Sequence, residues 1–209
     1  GGDKLDMRVA FGEGFGNALS GIITDDPIYR DSSGANQGSG GVINVENNAA
    51  AEPGWYSEAA VQAILYDLYD ATNDGGSDPT ALTWTPLYNL FVSSGYRTQD
   101  SFTSIFSYIT QLKAAQSAQA TNINTVVGRH NIVSNTIDIY GSTETNNGGT
   151  ADNLPVYAVL GAGGTVSSLC GNSTNGQKNK LGVRRYVKYT VSTAGSKTIT
   201  VTGPSGSDP

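Results

Sequence analysis

One cysteine and one histidine in 209 residues leave little room for the chemistry that thiols and imidazoles support. Cys170 has no partner in the chain, so an intrachain disulfide and a cysteine-built zinc site are both excluded. His130 cannot supply the pair of imidazoles, at i and i+4 on one helix, that a self-contained zinc hydrolase needs. A Ser-His-Asp triad on His130 would need a nucleophile elbow, and no serine here has that context. His130 therefore reads as a surface or capping residue near a helix end. Charge is scarce too: 14% of residues are charged, with a net charge of -6. An acidic chain repels polyanions, so nucleic acid is not an expected partner. No apolar run approaches the roughly 18 residues that cross a bilayer.

What the chain has in abundance is small and polar. There are 27 glycines, and a lysine-poor texture of Asn, Thr, Ser and Gly marks an exported bacterial protein, secreted or at the cell surface. The opening "GGDKLDM" carries no apolar leader of its own.

The N-terminal part is patterned for helices. In "MRVAFGEGFGNALSGII", residues Val9, Phe11, Phe15, Ala18, Leu19 and Ile22 recur at helical spacing, which predicts a helix over 7–23. Asp25, Asp26 and Pro27 stop it. Ser32 to Asn48 reads as a long surface loop. "WYSEAAVQAILYDLYD" predicts a second helix capped by Ser57, with Glu58 in its first turn. "TPLYNLFVSSG" gives a third, with Thr85 as cap, Pro86 at the first helical position and Gly95 as terminator. "DSFTSIFSYITQLKAAQ" gives a fourth, capped by Asp100, with Phe102, Ile105, Phe106, Ile109 and Leu112 inward. A fifth runs from about Asn122 to Val133.

After residue 140 the texture changes. Residues 141–153 read as a linker, and 154–209 as a small β unit of about four strands. "RRYVKYTV" and "KTITVTG", joined by "STAGS", predict an antiparallel hairpin with one solvated face. The expected fold is mainly α: a helical domain over 1–140 followed by a small antiparallel β unit, which either docks on the helices or is an incomplete sandwich.

One feature of the first helix calls for a chemical explanation. Glu13 stands between Gly12 and Gly14 inside an apolar segment: either it faces water on an amphipathic helix whose glycines serve close helix packing, or, if buried, it must be paired, hydrogen-bonded or bound to a metal. "FGEGFGNALSGII" resembles the helix that carries the third zinc ligand in the gluzincins, the thermolysin-like and fungalysin-like metallopeptidases, where the pattern reads N-E-G-W-S-D-F. Glu13 matches the metal-binding Glu, and Gly14 and Phe15 match Gly-Trp. Gly16 replaces the Ser, and Asn17 replaces the Asp that in the family hydrogen-bonds a ligand histidine. An Asn keeps the acceptor and drops the charge. "EPGWYSEAAVQAILYDLYD" is similar to the family's next helix. Trp55 falls near the position of the oxyanion histidine, and Tyr56 is the candidate hydrogen-bond donor to the oxyanion. The resemblance extends from the N-terminus to about Ala115.

The resemblance implies the C-terminal portion of a secreted zinc endopeptidase acting on peptide or protein substrates, with Glu13 completing a His2Glu site. Lacking H-E-x-x-H, the chain by itself is expected to be inactive, and Phe11 and Phe15 are candidates for surface that the remainder would cover. The "YVKYTV" and "KTITVTG" strands resemble part of the bacterial pre-peptidase C-terminal domain. The alternative is a non-enzymatic extracellular binding module. A second metal is also conceivable. Asp70, Asn73, Asp74 and Asp78 around glycines present hard oxygen donors that suit calcium, although EF-hand spacing fails; a solvated helix-end turn is the competing reading. "GEGFG" and "LGAGG" lack the strand-to-helix context of a nucleotide loop.

Overall fold

The computed structural model describes residues 4–46, 53–71, 78–144, 156–166 and 186–203. Among them run α1 (Met7–Thr24), β1 (Ile28–Ser33), β2 (Ser39–Asn44), α2 (Glu58–Asp67), α3 (Trp84–Val92), α4 (Ser94–Arg97), α5 (Ile105–Ala115), α6 (Ala120–Gly128), β3 (Tyr157–Leu160) and β4 (Tyr186–Tyr189). No helix among the described residues is long and apolar enough to cross a membrane.

Helix α1 begins where Asp6 accepts a hydrogen bond from the Arg8 amide and ends where Asp25 turns left-handed at φ 52°. It packs against α2, and glycine makes the approach possible. A Cβ on Gly14 would lie 2.8 Å from the Glu58 carbonyl oxygen and from Val61, and one on Gly21 would lie 2.9 Å from the Tyr66 ring. Helix α2 starts at Ser57, whose hydroxyl accepts from the Ala60 amide. Around this pair, Phe11, Ile64, Leu65, Leu87, Phe106, Tyr108, Ile109, Ile123 and Val126 form one continuous core. Phe11 is buried, so the expectation of exposure fails there; Phe15 is half-buried against Phe91, ring centroids 4.6 Å apart.

Several expectations need correction. The segment read as a surface loop closes as an antiparallel hairpin, β1 on β2, with Ile28 opposite Asn44 and Ser33 opposite Ser39. Its turn uses positive φ at Gly34, Asn36 and Gln37. Most of its residues are solvent-exposed on both faces, so no apolar alternation announced it. Isolated hairpins are marginal in water. This one is held at its base by Val45, fully buried with its amide 2.8 Å from the Pro27 carbonyl, and by Tyr29 packed on the core.

Helix α3 starts at Trp84 after Thr83, so Thr85 is not its cap, and it stops at Ser93; Gly95 lies inside α4 rather than ending α3. Helix α5 is capped by Ser104 in a reciprocal box with Ser107, not by Asp100, and Phe102 precedes the helix instead of facing its core. The fifth expected helix is α6, shorter than predicted and ending at Gly128.

The C-terminal strands also differ. β4 pairs with β3, in parallel, Tyr157 opposite Tyr186. Residues 190–203 form no strand among the described residues and leave Val191, Ile199 and Val201 exposed. The alternation was legible, but its tyrosine side is the docking side, while Val159 and Val187 point outward. Tyr157 and Tyr186 meet Phe102 at centroid distances of 6.2 and 5.2 Å, and the Arg8 guanidinium lies over Phe102 and Tyr186. Arg8 is also paired to Asp6, which the Tyr186 hydroxyl contacts, so the β pair is fastened to the start of α1.

Candidate functional site

Val9, Gly12, Glu13, Gly16 and Asn17 fall at intervals of three and four residues and therefore occupy one face of α1. With Tyr29 from β1 they line an open groove of about 440 Å³. The two glycines lower the groove floor. At Gly12 and at Gly16 an added Cβ would find no atom within 4 Å, so neither glycine is explained by packing.

Glu13 is exposed in this groove. Asn17, one turn on, is buried at the α1–α2 contact. Its Nδ2 donates to Glu58 Oε1 at 3.0 Å and to Gln62 Oε1 at 2.9 Å, which leaves Oδ1 as its uncommitted polar atom. Gln62 is itself buried, and its Nε2 finds no hydrogen-bond partner among the described residues. The exposed carboxylate thus sits over a polar cluster that fixes the α1 face against α2.

Tyr29 is the phenol beside Glu13. Burial raises its pKa, and the nearby Asp31, Glu58 and Glu13 carboxylates raise it further, so it stays a neutral donor in a negative field. Nothing in the sequence singled out Tyr29: it follows the Asp-Asp-Pro stop and belongs to a strand with no apolar period. Tyr56, the expected oxyanion donor, lies elsewhere. Its ring is buried against Trp55, its hydroxyl donates to the Pro53 carbonyl at 3.2 Å, and it does not line the groove. Glu13 and Asn17 are therefore brought together, and Tyr56 is not brought to them.

The other expected sites are scattered. His130 follows α6 in a turn and is half-buried rather than a surface residue; burial first, and Arg129 second, push its pKa down to about 4. Of the calcium candidates, Asn73 and Asp74 lie outside the described residues. Asp78 is paired with Arg129, which also reaches Asp67 at 3.3 Å. Among the described residues no group of three or more His, Cys, Asp or Glu side chains gathers as a metal set.

Glu13 suits zinc as one oxygen donor, being an exposed carboxylate at an open groove. It suits it only as one, because the chain holds a single histidine and that residue belongs to another region. No protein-family model, curated protein or solved structure matches this chain.

Proposed function

We propose that this chain is part of a secreted, zinc-dependent endopeptidase of gluzincin type, in which Glu13 is the third protein ligand of the metal. The observation that carries the reading is the position of Glu13: an exposed carboxylate on the groove face of α1, with Asn17 one turn behind it and locked to α2. Gly12 and Gly16, on the same face as Glu13, have open space above them and keep that face bare, whereas Gly14 is accounted for by its packing on α2. When bound, zinc supplies a Lewis acid and a water of lowered pKa for attack on a peptide carbonyl. The residues of this chain bind and position. Glu13 offers its oxygens, Asn17 Oδ1 is an acceptor for an imidazole N–H, and the bare helix floor admits an extended peptide. The two histidines and the general base come from residues outside the chain.

The isolated chain then cleaves no casein, with or without added zinc. The parent protein, carrying H-E-x-x-H ahead of Glu13, cleaves it and is stopped by 1,10-phenanthroline. Zinc-dependent proteolysis by the chain alone contradicts this reading, as does a parent gene without that motif.

A further inference from the structure

Which peptide would the groove take? Its electrostatics are one-sided. Glu13 lines it, and the Glu58 carboxylate is one hydrogen bond behind the lining residue Asn17. Asp31 stands two residues after Tyr29 on β1, so the two side chains share a strand face. None of the lining residues is cationic. Arg30, between Tyr29 and Asp31, points to the other face, where it is occupied by Asp26 and the Ile28 carbonyl, both at 2.9 Å. Asp31 gives one oxygen to the Ser32 amide, and Glu58 gives Oε1 to Asn17, so each retains a second oxygen. The Tyr29 hydroxyl lies in the field of all three acids, Asp31, Glu58 and Glu13.

We infer that the groove recognises a lysine or arginine side chain of its peptide, seated against the Tyr29 ring beside Glu13, with Glu58 behind Asn17 and Asp31 along the same face of β1. That the ligand is a peptide rests on the endopeptidase reading; the preference for a cation rests on the groove itself. A long basic side chain matches it on two counts. Its apolar stem lies along Val9 and the glycine floor, and its charged head meets the phenol face and the field of these acids. An acidic side chain in the same place meets like charge.

The test uses this chain free of zinc, titrated calorimetrically with N-acetyl-Ala-Phe-Lys-Leu-Ala-amide and with the same peptide carrying norleucine or glutamate for lysine. The lysine peptide should bind about five- to tenfold more tightly than the norleucine peptide at low salt, and the glutamate peptide more weakly than either. The advantage should shrink below about twofold in 0.5 M NaCl. Asp31→Asn and Glu58→Gln, the latter keeping an acceptor for Asn17, should each cut the advantage by about two- to threefold without altering thermal stability. Equal affinity for the lysine and norleucine peptides, binding of none of them, or an advantage indifferent to both substitutions overturns the inference. Because no metal enters this measurement, its failure is separate from that of the zinc assignment, which the metal content of the parent protein decides.

Discussion

Three glycines two residues apart on α1 should answer the same substitution with opposite signs. At Gly14 an alanine Cβ would stand 2.8 Å from the Glu58 carbonyl oxygen, Val61 Cβ and Val61 Cγ1. Carbon atoms prefer about 3.5–4.0 Å, so roughly 1 Å must be found. Two of the three obstacles, the carbonyl and Val61 Cβ, are fixed to the backbone of α2, and a rotamer change cannot supply it. Overpacking of this kind costs about 1–3 kcal/mol, and alanine's better helix propensity returns about 1 kcal/mol. Gly14→Ala should therefore destabilise by about 1 kcal/mol net (0–2 across the range of overpacking costs), about 2–4 °C in Tm for a chain of this size. At Gly12 and Gly16 there is no atom to meet, so only the propensity gain remains, and each should stabilise by about 0.5–1 kcal/mol. Thermal and urea denaturation followed by circular dichroism reads all three. A Gly14→Ala variant as stable as the Gly12→Ala one would refute the claimed closeness of α1 and α2. Loss of stability at Gly12 or Gly16 would refute the open groove floor.

Other perturbations probe the rest of the structure. His130 is held neutral with a pKa of about 4, so as pH falls from about 6.5 towards 4 the unfolded chain takes up a proton that the fold refuses. Its contribution is complete above about pH 6.5 and is lost on acidification. The wild-type unfolding free energy from urea denaturation should drop more than that of His130→Asn, by roughly 2 kcal/mol after discounting for partial exposure, and parallel curves would contradict this. Arg129→Ala leaves Asp67 and Asp78, each with a side chain only 3% exposed, without their shared cation, and should cost about 2–3 kcal/mol in chemical denaturation; a neutral effect would contradict the pairing. Gly141 combines φ 66° with a space in which a Cβ would touch the Phe106 ring at 2.7 Å, so Gly141→Ala should lower stability by about 2–3 kcal/mol, and an unchanged Tm would contradict that geometry.

How far the sequence announced this molecule depended on where side chains are buried. Helices α1 and α2 were legible because Phe11, Ala18 and Ile22 on one, and Val61, Ile64 and Leu65 on the other, repeat at the spacing of a buried stripe. The β1–β2 hairpin was not, because exposed strands need no alternation and its Gly- and Asn-rich turn is also what a loop contains. The partner of β4 was misjudged for a different reason. Nearness in sequence suggested a hairpin, whereas by pairing Tyr157 and Tyr186 gain a shared seat on Phe102, with Arg8 over Tyr186. At the site, Glu13 and Asn17 were legible because both belong to one helix with a fixed period. Tyr29 was not, since its place beside Glu13 arises from how the hairpin folds back. Tyr56 was misleading: proximity to the second helix's cap says nothing about which way a ring turns, and this one turns into the core.

The assignment of Glu13 is tested most directly by counting metal. The parent protein, purified without added zinc and dialysed against metal-free buffer, should retain about one zinc per chain by mass spectrometry of the metal. Glu13→Gln, which keeps size and removes the anionic donor from an exposed position, should leave folding intact and lower that ratio at least tenfold in a defined zinc buffer. A folded Glu13→Gln protein that holds its zinc as tightly as the wild type would contradict the account.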